Sequence, residues 1–158
     1  MIIPKSPFIV AFSVLAADQL SKLWVRENLA LGESIPREGI FRLTHVTNPG
    51  IIFGIGMPAA VSLILPLVVV GVALFLYYRY GLFNNSLINV AMGFFLGGSL
   101  GNLVDRLFFG RVTDFIDIQW GRFQWPTFNL ADMAILLGTL LFIVFIFRLR
   151  LRKTPKHG

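Results

Sequence analysis

The sequence predicts an all-α membrane protein with four transmembrane helices, and three observations carry that expectation. First, 56% of its 158 residues are hydrophobic and only 14% are charged. A soluble domain carries about a quarter charged residues, so too few are present to cover a water-facing surface. Second, the mean hydropathy is +0.75. Third, four apolar runs stand out, at about 8–25, 59–80, 86–109 and 129–147. A helix rises about 1.5 Å per residue, so roughly 20 residues cross a hydrocarbon core of about 30 Å. Inside lipid no water bonds free N–H and C=O groups, so each span must be helical. The length is read as one polytopic membrane domain, 1–158.

The first run follows Lys5 and reaches Ala16-Ala17, which has the outline of a signal peptide. It carries on past Asp18 to Val25, so it is expected to stay in place as the first span. An outer loop of about 27–57 follows. Its turn signals are Gly32, Pro36, Gly39 and Asn48-Pro49-Gly50, and the partial alternation over 40–46 predicts a short strand or hairpin. The second run holds Pro66, which is expected to bend it without ending it. A minimal connection, 81–85, leads to the third run. There Gly93, Gly97 and Gly101 recur every four residues, the pattern of close helix packing in membranes. A second outer loop, about 110–128, precedes the fourth run.

Orientation rests on the basic residues. An even number of spans puts both termini on one side, with Lys5, Arg79 and the tail cluster that begins at Arg148. The eight acidic residues all fall on the other side. The density of the tail places both termini in the cytoplasm. Tyr77, Tyr78 and Tyr80 are expected to mark one interface, and Trp24, Trp120 and Trp125 the other. The net charge of +6 is read as contact with anionic headgroups of the lipid bilayer and not with nucleic acid. The chain has no cysteine, and its two histidines, His45 and His157, are far apart. Disulfides, thiolate sites and a paired-histidine metal site are therefore not expected, and no cofactor is expected.

Ionisable groups in membrane spans are costly and mark function by default. This chain gathers them in four clusters at one edge of the bilayer. In Asp18-Gln19-Leu20-Ser21-Lys22, the outer two residues share a helix face. They read as a structural ion pair or as a clamp on backbone near a substrate. Asn48-Pro49-Gly50 alone is a turn. Asn102, Asp105 and Arg106 share a face at the end of the third run. The fourth cluster joins Asp114, just past that run, to Asn129 and Asp132 at the start of the last. Alone, Asn129 and Asp132 look like a helix cap and its capping carboxylate. Together the clusters converge at one depth, and Asp114 and Asp132 approach from opposite sides of one loop. Two close carboxylates do not both ionise easily and share a proton, so one can act as base on a water and the other as acid. That suffices for peptide hydrolysis without a metal.

Five motifs occur in order: Asp18-Gln19-Leu20-Ser21-Lys22, Asn48-x-Gly50-x-x-Phe53, Gly101-Asn102-Leu103-Val104-Asp105-Arg106, Val112-x-Asp114-Phe115 and Asn129-Leu130-Ala131-Asp132. The set, spanning about 18–135, resembles the signature of the lipoprotein signal peptidase (signal peptidase II) family. The resemblance implies four transmembrane helices with a small extracytoplasmic β-cradle and a short helix or loop beside the site. It implies a bacterial inner-membrane aspartyl endopeptidase that removes the signal peptide from a diacylglyceryl-prolipoprotein, cutting before the lipidated cysteine at the extracytoplasmic face. It implies Asp114 and Asp132 as the catalytic pair, and Asp18, Lys22, Asn48, Gly50, Asn102, Arg106 and Asn129 as residues that line or support the site. Asp105 takes a scaffold role. Globomycin-type peptides would occupy the substrate's place, and a monomer suffices for the chemistry. One departure concerns Pro49, Ile51 and Ile52, where the family commonly has Thr and small residues. It bears on substrate preference at that wall, not on the chemistry.

The alternative is a small membrane transporter or proton-conducting protein, since buried carboxylates also relay protons. Transporters show repeats and sites near the midplane, whereas this chain has no visible repeat and carries its charges at one edge. A noncatalytic assembly factor docking through the glycines would leave Asp114 and Asp132 unexplained.

Overall fold

A computed structural model describes residues 4–52 and 55–153. Four helices, α1 (Ser6–Asn28), α2 (Ala59–Arg79), α3 (Ser86–Phe109) and α4 (Leu130–Lys153), are each long and apolar enough to cross a membrane. The shares of their apolar windows buried by protein are 22%, 11%, 56% and 17%. α3 is thus the central helix, and α2 stands at the periphery. Phe8, Phe12, Val68, Phe75, Leu140 and Phe147 point outward, as lipid-facing side chains do. α2 runs through Pro66 without a break.

Among lipid-solvated helices, close approach of backbones replaces burial as the driving force. The glycine stripe of α3 provides it. A Cβ at Gly93 would lie 2.6 Å from Val10 Cβ, and one at Gly97 2.6 Å from Ala11 O. Gly98, one position round the helix, faces α4 instead, where a Cβ would lie 2.3 Å from Ala131 O. Gly98→Ala is therefore expected to push α3 from α4 and to cost about 1–3 kcal/mol. The check is a lower unfolding midpoint in detergent. An unchanged midpoint would mean that the helices shift apart freely.

At the end of the bundle away from the sheet a 3-10 turn (Leu82–Asn84) fills the short connection, and Asn85 caps α3 by accepting from Leu87 N and Ile88 N. Tyr77, expected in an interfacial belt, is instead 2% exposed, and its hydroxyl donates to Asn89 Oδ1 at 2.7 Å. A buried phenol needs such a partner.

The expected outer loops carry far more structure than their turn signals showed. Strands β1 (Ser34–Ile35), β2 (Phe41–Asn48), β5 (Val112–Trp120) and β6 (Phe123–Phe128) form one antiparallel sheet in the order β1-β2-β5-β6. The expected loop 110–128 is thus a hairpin turning at Gly121, whose φ of +59° suits glycine. Strands β3 (Ile51–Ile52) and β4 (Ile55–Gly56) pair separately. Phe53, part of the second sequence motif, lies outside the described residues.

The sheet is two-faced. Register places Phe41 opposite Ile118, Leu43 opposite Ile116, Ile118 opposite Trp125 and Trp120 opposite Phe123. Paired residues share a face, so this face is apolar. The other face carries Arg42 and Asp117, joined at 2.6 Å, with Thr44 and Gln119 bonded into the same group. Phe115, also on that face, packs with Val25 and Leu29 and fixes the sheet to α1.

Candidate active site

α1 and α3 end, and α2 and α4 begin, at the end of the bundle that carries the sheet. The site is built from these ends. On α1, Asp18 and Lys22 are wholly buried and 2.8 Å apart. The pair is an ion pair, and Asp18 Oδ1 also accepts from Ala131 N at 2.9 Å. A carboxylate of one helix thus satisfies an unpaired donor in the first turn of another. No side chain larger than glycine fits beside it, since a Cβ at Gly101 would lie 2.4 Å from Asp18 Oδ2.

Lys22 reaches across to α3. Its Nζ donates to Asn102 Oδ1 at 3.0 Å and lies 3.6 Å from Asp105 Oδ2. Asp105 is wholly buried and accepts from Thr113 N at 2.8 Å and from Arg26 Nη1 at 3.4 Å, so it ties β5 and α1 to α3. Arg26 also donates to Thr113 Oγ1 at 3.1 Å, and Gln19 Nε2 donates to Gly101 O at 3.0 Å. Sequence reasoning gave Gln19, Arg26 and Thr113 no role. The helical spacing of Arg26, four residues beyond Lys22, was the available cue.

Two amides hold the remaining carboxylates. Lys22 has no acceptor, so it fixes Asn102 with its oxygen inward and its Nδ2 donating to Asp132 Oδ1 at 2.7 Å. Asn129 is oriented in the same way. Its Oδ1 accepts from Asp132 N at 2.9 Å, and its Nδ2 donates to Asp114 Oδ1 at 2.6 Å and to Asn102 Oδ1 at 3.1 Å. Asp132 Oδ2 in turn accepts from Asn129 N at 3.3 Å. The capping box read from the sequence is present, and it leaves Asp132 Oδ1 facing the cluster. Asp132 also complements the α4 dipole.

Asp114 is 3% exposed on β5. Burial, and next the neighbouring Asp132, push its carboxyl up to about 7, against hydrogen bonds from Asn129 and Asn48 and the charge of Lys22. Asn48 ends β2 and its Oδ1 accepts from Gly50 N at 3.0 Å. Gly50 holds φ +102° against Ser62 of α2. Each residue singled out from the sequence thus falls in or beside one cluster. Asn48, Gly50, Asn102, Arg106 and Asp132 line a cavity of about 530 Å3, closed by Ser62 and Leu65 of α2 and by 125–128 of β6. Arg106 donates to Asn102 O at 3.2 Å, while its Nε is buried without a hydrogen-bond partner among the described residues. Those residues contain no group of three or more His, Cys, Asp or Glu side chains able to hold a metal ion.

Comparison with known proteins adds independent information. A family model described as signal peptidase (SPase) II matches residues 10–148. The lipoprotein signal peptidase of Moorella thermoacetica is 43% identical over 85% of this chain and 89% of its own length. That of Halothermothrix orenii is 37% identical over 89% and 94%. A solved bacterial membrane enzyme superposes with a TM-score of 0.83 at 26% identity, covering 96% of this chain and 93% of the other.

Proposed function

The chain belongs to the signal peptidase II family, and from that membership we propose that it is a multi-pass bacterial membrane protease that cleaves signal peptides from prolipoproteins by aspartyl chemistry. The observation that carries the catalytic assignment is the pair of amides. Asn102 and Asn129, bonded to each other, each present an N–H to one of two carboxylates from separate elements. Asp114 and Asp132 then act as the dyad and hold one proton between them. The ionised partner takes a proton from a water that attacks the scissile carbonyl, and the protonated partner donates to the departing nitrogen. The charged bed of Asp18, Lys22, Asp105 and Arg26 orients the amides and needs no contact with substrate. Asn48 and Arg106, at the cavity wall, position the peptide backbone.

The substrate is a prolipoprotein whose cysteine already carries diacylglycerol, cut just before that residue. The lipid keeps the scissile bond near the outer headgroups, so the sheet-bearing end faces outward and both termini lie in the cytoplasm. Globomycin-type peptides fit the same cavity, and one copy of the chain holds the complete dyad. The test is cleavage of a diacylglyceryl-modified peptide by the purified protein. Hydrolysis of that peptide, but not of its unmodified twin, is expected. An intact reporter would return the transporter reading.

The pH profile follows from Asp114. Its carboxyl keeps the proton until about pH 7, and above that the dyad loses the proton it must donate. The rate constant kcat/KM is expected to fall as pH rises through about 7, with pH-jump controls for stability. A flat profile from pH 6 to 9 would separate Asp114 from proton transfer.

A further inference from the structure

A second depression adjoins the catalytic cavity and differs from it in chemistry. It is a groove of about 440 Å3 between the apolar face of β5–β6 and the outer side of α4, lined by Ile118, Phe123, Trp125, Phe128, Met133 and Leu136. Its one charged lining residue is Asp132, which also lines the cavity. Strand alternation adds a second link. Asp114, Ile116 and Ile118 lie two residues apart on β5 and therefore on one face. The floor of the groove thus leads along the strand to the first carboxylate, and its wall ends at the second. At the other end, Leu136 is 61% exposed and Met133 48% exposed, on the side of α4 that faces lipid. Trp125 and Phe123 stay more than half exposed over the groove.

We propose that this groove seats an acyl chain of the lipid-modified residue at the cleavage site. The inference rests on the prolipoprotein reading above and specifies where the lipid of that substrate goes. A lipidated cysteine must present a peptide bond to two carboxylates and a hydrocarbon chain to an apolar surface at the same time. Asp132 stands where a polar-walled cavity and an apolar groove meet, and the groove opens sideways to the bilayer, from which such a chain arrives. Apolar burial is worth about 25 cal/mol per Å2, so the groove rewards long chains and gives little to short ones.

The experiment uses the full chain in nanodiscs of dioleoyl phosphatidylglycerol, with two peptides that differ only in carrying dipalmitoyl or dibutanoyl glycerol on the cysteine. Leu136→Trp fills the groove from α4, and Ile118→Ala deepens it from the sheet. The readout is the ratio of kcat/KM for the two peptides in each enzyme. That ratio does not depend on the fraction of protein folded. Partitioning of the peptides into the bilayer affects every enzyme alike, so the change relative to wild type isolates the groove. Leu136→Trp, which blocks the groove, is expected to lower the long-to-short ratio about tenfold, and Ile118→Ala, which removes apolar contact without blocking it, to lower it about threefold. Equal ratios in all three enzymes would overturn the proposal and point to bulk phospholipid in the groove, while leaving the peptidase reading intact. No cleavage of either peptide by the wild type would remove that reading and the acyl site with it.

Discussion

Asp114→Asn is expected to lose cleavage by about a hundredfold to ten-thousandfold, the range that general acid–base groups supply, and to gain stability at neutral pH. Both effects come from one fact: a nearly buried carboxyl beside another carboxyl. The folded protein holds the Asp114 proton up to about pH 7, whereas an ordinary Asp releases it near 3.8. Between those values the folded state binds more protons than the unfolded state, so stability falls as pH rises through that window and stays lowered above it. Asn carries no charge at any pH, so its advantage over Asp is absent below about 3.8 and complete above about 7. Asn129 Nδ2, now at 2.6 Å from a carboxylate oxygen, still finds an acceptor in the amide. Asp132→Asn is expected to be as inactive but without the gain. Asp132 accepts from Asn102 Nδ2 through one oxygen and from Asn129 N through the other, and an amide has an acceptor for only one of them. Cleavage of the dipalmitoyl peptide and unfolding midpoints at pH 5 and 8 check these expectations. Near-normal turnover by either variant would dissolve the dyad. An Asp114→Asn protein less stable at pH 8 would mean that the carboxylates do not repel.

The four helices were legible because lipid imposes a length and forbids free backbone polar groups, and the apolar runs met both conditions. Chain order then put Asp18, Lys22, Asn102 and Asp132 at one end of the bundle. Legibility failed where pairing is non-local. The register of β2 against β5 joins Val46 to Asp114, and no window containing 110–128 alone announces that partner. The strand also separates Asp114 from Asp117, a neighbour to which the sequence reading gave no role. Their odd separation sends them to opposite faces. Asp117 then meets Arg42 and Thr44 on its Oδ2, while Asp114 faces the dyad. Tyr77 misled for a related reason: a group of tyrosines at a span's end reads as a belt, and only Asn89, twelve positions on, reveals a buried phenol. The groove beside α4 left no sequence signal, because its residues come from two strands and a helix and are ordinary apolar residues in each.

Lys22→Met is expected to remove activity while costing about 3–5 kcal/mol, the penalty for breaking a buried charge pair. Lys22 Nζ lies 2.8 Å from Asp18 Oδ2 and 3.0 Å from Asn102 Oδ1, and all three residues are nearly or wholly buried. Met matches the stem but leaves the carboxylate of Asp18 uncompensated. Arg26 still faces Asp105 at 3.4 Å, so the loss concentrates on Asp18 and on the Ala131 N–H that it caps. The catalytic effect has a separate origin. The ammonium is the charged one of two donors, with Asn129 Nδ2 at 3.1 Å, that keep Asn102 Oδ1 inward and Nδ2 on Asp132. Without it the amide can turn, presenting an oxygen to a carboxylate and repelling it. A double substitution separates the two effects. Asp18→Asn in the Lys22→Met background removes the stranded charge and is expected to restore part of the unfolding midpoint, yet no activity, because the Asn102 amide has lost its charged anchor and keeps only the Asn129 donor. Recovery of turnover along with stability would show that Lys22 serves the fold alone.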